Sequence, residues 1–574
     1  MPDLRRLSHQ RCVASGVHLD RIRPGQTVIA MPHSRAETGS QSVHPRMPLG
    51  GAEAGRFLSL GFCGLLGVVT LLPLLCAAVP PLIDYPNHLA RLWILVHRAE
   101  IPELARNYVV HWKLVPDLAI DFGVLALSAA MPVELAGRVF IALTMLGLIA
   151  GTMVLHRVLH GRFAVWPIWS VLFIYNAAMF WGFVSCLFAI GVYFFLFSGW
   201  IASRRWPIGP RLLVFAAASA VLWLLHLFAF GLYGLSVVSY EFGRALKDGR
   251  LPLKGLASVA VVCLQFIPGL VLWYLSRGKL PSIHTEYGDL GRKVYALFAP
   301  VTFGSTLAVL DRGLWLAAAV FLLLAARRGA LKLVPEMRLP LAAMVAAALL
   351  MPYFANGSAL ADIRLPSVLP LVILAATQFS VRRQWLAGLL GVSALVLFGL
   401  RVWTVSASWQ VYDRWFNEFR AASGVIAPGA RLLIVEGAIP DDKRAIPGVP
   451  SAFATVQPNI FWHMGALAVI DRAAFFPYLF TDATPLDVTP RNRAMSSWGM
   501  PVTPEELVKS ADPRSLQSPV AYDLYHHPLY WRDWPHNFDY VLWIDFGDRP
   551  KPQLKQLLPL ASGSVFAVYR ILKQ

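Results

Sequence analysis

An acid, an imidazole and a guanidinium fall close together in the run Pro80-Pro81-Leu82-Ile83-Asp84-Tyr85-Pro86-Asn87-His88-Leu89-Ala90-Arg91. A helix that starts at Pro86 or Asn87 places His88 and Arg91 three residues apart on one face. A carboxylate in such a group takes a proton from an incoming hydroxyl as a general base. Alternatively it ligates a divalent metal, Mg or Mn, through oxygen. A guanidinium fork beside it suits a phosphate-bearing substrate. Plainer uses exist: Asp84 as a helix cap and Arg91 snorkelling to lipid headgroups. The position of the group matters here. It follows the apolar run 57–79, at a membrane–water boundary, where ionisable groups are functional candidates.

Other charged residues fall on the same expected surface. Arg364 lies beside Asp362 at the outer start of a span and is either a phosphate grip or the partner of Asp362. Arg277 and Lys279 open a second outer loop and are further phosphate-binding candidates. Asp117 and Asp121, four apart, share a face if helical. One of them is expected to face a cavity above Asp84 and the other to be solvated. His226, near the outer end of its span, is expected to make a helix–helix hydrogen bond. Glu134 and Arg138 are expected to pair at a helix start. The aromatic stretch 522–534, with His526 and His527, is expected to be core or interfacial belt, with sugar stacking as the alternative.

These groups need elements to hold them, and the composition says which kind. The chain is 56% hydrophobic and 15% charged over 574 residues, with mean hydropathy +0.55. A soluble globular protein is excluded. The formal charge of +18 comes from Lys and Arg in short loops between apolar runs. That is the positive-inside pattern, and it argues against nucleic acid as a partner. None of the five cysteines lies beyond Cys263, and no Cys/His spacing matches a zinc site.

The expected fold is a polytopic α-helical membrane protein with a C-terminal extracytoplasmic α/β domain. Residues 1–46 read as a disordered basic tail, with the start at Met1, Met31 or Met47. The run after Arg56 reads as an uncleaved anchor. Residues 47–404 form the membrane domain, with about 11 spans at roughly 20 residues each. Its first outer loop covers 80–135, with a surface helix over 87–99 and a short in-plane helix over 117–131. Residues 163–178 are expected to cross, a second outer loop covers 277–310, and the last crossing is 385–403. Residues 405–574 form the α/β domain, with β-type runs at 431–435, 540–544 and 565–572 and helices at 409–423 and 504–510. The charge pattern puts the N-terminus in the cytoplasm of a bacterial inner membrane and the C-terminal domain in the periplasm.

This layout resembles the GT-C superfamily of integral membrane glycosyltransferases. The likeness is carried by the acid after the first span, in Ile83-Asp84-Tyr85-Pro86-Asn87-His88, and by the long first outer loop. Arg138 in Ala136-Gly137-Arg138-Val139, Arg364-Leu365-Pro366-Ser367-Val368-Leu369-Pro370 and the outer C-terminal domain complete it. The resemblance implies inverting transfer of a sugar from a polyprenyl-phosphate donor to an envelope glycan, lipid or protein, with membrane lipids around it. It gives Asp84 the role of catalytic base or metal-site residue. Many such enzymes have a second acid in the next outer loop, where this chain has Asn176-Ala177-Ala178-Met179. Asp117 or Asp121 then substitutes, or no metal is used. The rival expectations are a transporter or flippase for lipid-linked saccharides, although no internal repeat is evident, and a scaffold in which Asp84, His88 and Arg364 do not converge.

Overall fold

The computed structural model describes residues 49–247, 253–276, 285–303, 309–355, 358–437, 439–440, 443–481, 484–496, 501–511, 529–546 and 554–573. The chain divides into two compact units, Met1–Arg56 and Phe57–Gln574, and nearly all described residues belong to the second. The expected tail over 1–46, Arg277, Lys279 and most of the aromatic stretch 522–534 lie outside the described residues.

Among the described residues five helices are long and apolar enough to cross a membrane: Val133–His160, Val184–Arg205, Ile208–Leu225, Gly255–Ser276 and Gln384–Val425. Val133–His160 packs against Val184–Ala202 through small residues. Gly147 and Gly151 stand four apart, one helical turn, and meet Gly191. A Cβ on Gly191 would come within 3.3 Å of the Gly147 backbone, and one on Gly151 within 3.3 Å of the Gly191 carbonyl. Removing side chains is how apolar helices approach closely in lipid.

Residues 163–178, expected to cross, do not form one long helix. They build a 3-10 helix, Trp166–Phe173, with Pro167 in its first turn, followed by the short helix Ala177–Trp181. Asn176 restarts the chain there, its Oδ1 accepting the Met179 N–H. Gly182, at φ 87°, ends the helix. The surface helix expected over 87–99 is present as Tyr85–His97. Ala119–Ser128 has ten residues, a rise of about 15 Å, and is too short to span, as expected.

The expected last crossing and the helix over 409–423 are one helix, Gln384–Ala422, of 39 residues. Its first half exposes Trp385, Leu389, Val392 and Val396, an apolar surface suited to lipid. Its second half buries Val402, Val405, Trp409, Tyr412, Phe416 and Phe419. The alternating three- and four-residue spacing makes these one stripe. That stripe carries the helix out of the membrane region and into the C-terminal segment without a break.

The C-terminal segment contains a four-stranded sheet. Leu432–Glu436 pairs in parallel with Tyr540–Ile544, which pairs antiparallel with Phe566–Ile571, which in turn pairs antiparallel with Leu557–Ser562. Three of these strands coincide with the expected β-type runs. The fourth was not expected, because Pro559 interrupts it. As an edge strand it tolerates a residue with no N–H. A second pairing, Tyr108–Val110 antiparallel to Leu486–Val488, joins the first loop to this segment.

Glu436 ends the edge strand Leu432–Glu436, its Oε1 buried and without a partner among the described residues. Burial, opposed by a hydrogen bond from Trp462, pushes its carboxyl up to about 8. The folded chain therefore holds the Glu436 proton between about pH 4.5 and 8 while the unfolded chain releases it. Stability from this residue falls as pH rises through that window. Glu436→Gln should match the wild-type melting temperature near pH 4 and exceed it increasingly up to pH 8.5. Melting curves of the purified protein across that range test this, and an unchanged difference between the ends would refute it.

Candidate functional site

Asp84 occupies the position before the Tyr85–His97 helix but makes no capping hydrogen bond, so the plain role of a cap does not hold. Backbone contacts fix it. The Ile83 N–H donates to the Phe180 carbonyl at 3.0 Å and the Asp84 N–H to the Trp181 carbonyl at 3.1 Å. Gly182 packs directly against it. A Cβ there would lie 3.0 Å from the Asp84 nitrogen and 3.1 Å from its Cβ. The carboxylate Oδ1 faces His463 Nε2 at 3.5 Å, with the two side chains 18% and 10% exposed. His463 comes from the C-terminal segment and was not foreseen. It lies 376 residues from its hydrogen-bonding partner Asn87, and no local spacing marks it.

One turn into the helix, His88 is half-buried. Its ring lies 5.1 Å from that of Phe480, and its Nδ1 has no partner among the described residues. Burial, reinforced by Arg91 and His463, holds this imidazole well below its usual value, so it is neutral at physiological pH. Arg91 does not reach headgroups. It is buried, and its Nη2 meets Asp121 Oδ2 at 2.8 Å. Arg91 Nε and Asp121 Oδ1 are left without partners among the described residues.

Asp121 is therefore not the solvated acid of its pair. Nor do the two acids share a helix face. Asp117 precedes the Ala119–Ser128 helix at φ 75°, a left-handed conformation that Asp tolerates better than most residues. It sits deep among protein atoms yet keeps 54% of its side chain open, the position of a group that lines a recess. Burial raises its carboxyl, and Arg91 and Arg364 pull it back.

His226 faces Asp117 Oδ1 through Nε2 at 3.7 Å. Nε2 also meets Arg364 Nη1 of the Ala361–Ala376 helix at 3.5 Å, the expected contact between helices. His226 Nδ1 accepts the Phe228 N–H at 3.0 Å, within the break between Ile208–Leu225 and Leu227–Lys247. Because Nδ1 accepts, a neutral His226 carries its proton on Nε2, toward Asp117.

Arg364 is buried near the start of the Ala361–Ala376 helix. Its Nη1 lies 3.5 Å from His226 Nε2, its Nη2 donates to Ser358 Oγ, and its guanidinium lies 4.6 Å over the Phe183 ring. Its Nε has no partner among the described residues. Asp362 is not its partner. Arg292 takes both Asp362 oxygens, at 3.0 and 3.1 Å. From Pro366 onward the same helix lines an apolar groove with Leu297, Pro300, Trp315, Val345 and Leu349, and Leu369, Pro370 and Ile373 of the helix continue the wall.

Two clusters form: Asp84 faces His463 beside Asn87 and His88, and Asp117 faces His226, which meets Arg364 over Phe183. Arg91, paired with Asp121, acts on Asp117 electrostatically, as Arg364 does. Glu134 belongs to a separate structural network. It pairs with Arg420 at 2.9 Å, not with Arg138 as expected, and Arg420 also holds Asp471. Asn176, where a second acid was sought, serves as a helix cap. Among the described residues no group of three or more His, Cys, Asp or Glu is gathered to hold a metal. Asp121 is taken by Arg91, and the polar neighbour of Asp84 is an imidazole.

The chain is a polytopic helical membrane protein. No family model matches it, and no curated protein matches it. Among solved structures it is similar to two crystal structures of ArnT from Cupriavidus metallidurans. The one bound to undecaprenyl phosphate has 12% identity and a TM-score of 0.42, over 90% of this chain and 98% of that chain. The apo state has 14% identity and a TM-score of 0.43, over 91% and 98%.

Gly182 is the residue whose replacement most directly disturbs Asp84. Gly182→Ala places a side chain at positive φ and against the Asp84 backbone, a cost of about 1–3 kcal/mol. The melting temperature of the purified protein should fall. Gly61→Ala, which meets nothing within 4 Å, should leave it unchanged or raise it. Equal melting temperatures for the two variants would contradict this account of how Asp84 is held.

Proposed function

We propose that the chain is a membrane glycosyltransferase of the GT-C type, moving a sugar from a polyprenyl-phosphate donor to an acceptor in the cell envelope. One observation carries this proposal. Arg364, buried and with an Nε that has no partner among the described residues, stands on a helix whose next turns line an apolar groove, and it neighbours His226 and Asp117. Head and tail of an anionic isoprenoid need such a combination, a fixed cation beside an apolar channel.

In this reading Asp84 removes the proton from the acceptor hydroxyl. The acceptor oxygen bonds to the anomeric carbon as the bond from that carbon to the phosphate oxygen breaks, which inverts the centre. Arg364 receives the charge that grows on the departing phosphate. Its guanidinium is always ionised and lies on Phe183, so it needs no rearrangement as that charge appears. Arg91, already held by Asp121, adds positive potential from the other side. His88, neutral and with a free Nδ1, is placed to bond a substrate hydroxyl. Arg277 and Lys279 remain candidate phosphate contacts. The basic inner loops put the N-terminus in the cytoplasm and the site on the outer face.

Asp84 is read as the base, since among the described residues no group of three or more His, Cys, Asp or Glu is gathered to hold a metal. Transfer in membranes should therefore persist in excess EDTA. A loss restored by Mg or Mn would reverse the choice.

The central test supplies a panel of radiolabelled polyprenyl-phosphate sugars to membranes with matched protein levels. Asp84→Asn should lower transfer by about 10²–10⁴-fold, the usual range for a lost general base. Arg364→Ala should lower it by about 10²–10³-fold and weaken donor binding as well. Wild-type rates in Asp84→Asn would sink the role of Asp84. Donor binding without transfer from any donor would favour a transporter of lipid-linked saccharides.

A further inference from the structure

Asn87 makes a set of contacts that decides the chemistry of its neighbour. Its Oδ1 accepts the Phe480 N–H at 3.0 Å. Its Nδ2 donates to the Tyr478 carbonyl at 2.7 Å and meets His463 Nδ1 at 3.0 Å. The two backbone partners leave no freedom in the amide. A peptide N–H requires the oxygen and a peptide carbonyl requires the NH₂. The group facing His463 Nδ1 is therefore a donor, and Nδ1 must accept. An imidazolium has no accepting nitrogen, so the ring is neutral and its one proton lies on Nε2. That nitrogen points at Asp84 Oδ1.

We propose that His463, locked by Asn87 as the neutral Nε2–H tautomer, is a positioning residue for Asp84, holding Oδ1 and leaving Oδ2 as the oxygen that takes the acceptor proton. This rests on the glycosyltransferase reading of the site. The separation of 3.5 Å is long for a hydrogen bond, as such contacts are before substrate binds. His463 is not a proton relay. Nε2 already bears a proton and the Nδ1 lone pair is occupied, so the proton gained by Asp84 leaves from Asp84 itself, to water or to the released phosphate. The surroundings fit a neutral ring. His88 and Arg91 stand on the same helix as Asn87, and the Tyr478 and Phe480 rings lie 6.0 and 5.4 Å from the imidazole. The device also explains why residues from the C-terminal segment belong to the site. They complete the orientation of an acid from the first loop.

The test compares wild type, His463→Ala and His463→Gln in the same membrane transfer assay, with donor affinity measured separately. His463→Ala should lower kcat by about 10- to 100-fold, the range of one hydrogen bond to a charged group, with KM for the donor within about twofold. His463→Gln places an amide N–H where Nε2–H was and should restore most of the loss. Wild-type kcat in His463→Ala overturns the proposal, as does a Gln variant no better than Ala. A second readout needs no turnover. In ¹⁵N-histidine-labelled protein, the signals lost in His463→Gln should have the shifts of a neutral Nε2–H ring. An imidazolium or Nδ1–H pattern overturns the tautomer. Wild-type protein that transfers from no donor overturns the functional reading and the role of His463 with it, whereas the tautomer is decided by the spectrum alone.

Discussion

The site depends on one buried amide. Asn87 is closed to solvent and spends its oxygen and both its amide hydrogens on the segment from His463 to Phe480. A buried amide left unsatisfied costs about 1–3 kcal/mol, so the first-loop helix and the C-terminal segment are favoured in one relative position. Everything on that helix inherits the constraint. Asp84 precedes Asn87 by less than a turn, His88 follows it directly, and Arg91 lies one turn beyond.

Six acids then fall into two groups according to their partners. Asp121 meets Arg91, Asp362 meets Arg292, Asp311 meets Arg401 and Asp471 meets Arg420. Arginine is always charged, so each of these acids has a fixed counter-charge and a structural use. Asp84 and Asp117 instead face the Nε2 atoms of His463 and His226. Each of those histidines has its Nδ1 committed to an N–H donor, from Asn87 in one case and from the Phe228 backbone in the other. A neutral imidazole orients a carboxylate without cancelling its charge. The two acids that face imidazoles are therefore set apart from those held by arginine.

Legibility in the sequence followed range. Asp84 and the Tyr85–His97 helix could be read because proline, apolar run and acid lie within one stretch. Leu432–Glu436, Tyr540–Ile544 and Phe566–Ile571 could be read because continuous β-type residues mark buried strands. Leu557–Ser562 could not, since its proline is permitted only by an edge position that depends on the rest of the sheet. The separation of 409–423 from the last span failed for a related reason. The polar residues after Trp403 look like a boundary, yet the stripe from Val402 to Phe419 continues straight through them. His463 and the pairing of Glu134 with Arg420 depend on contacts hundreds of residues apart, and no local pattern encodes those.

The Ala361–Ala376 helix combines a buried cation with an apolar wall. Leu360, immediately before it, holds φ 58°, a conformation that costs a bulky residue about 1–3 kcal/mol. Buried contacts must offset that strain, and they lie in the next turn, where Asp362 is clamped by Arg292 and Arg364 rests on Phe183. Pro366 and Pro370 follow inside the helix. Neither has an N–H, and their rings face the apolar groove. A proline interrupts the helix hydrogen bonding at a cost, but it also gives a rigid wall with no polar hydrogen for a hydrocarbon to desolvate. The strained turn fixes the cation and the prolines shape the groove. Because both are on one helix, the spacing between Arg364 and the apolar groove is set by backbone geometry and not by the packing of separate parts.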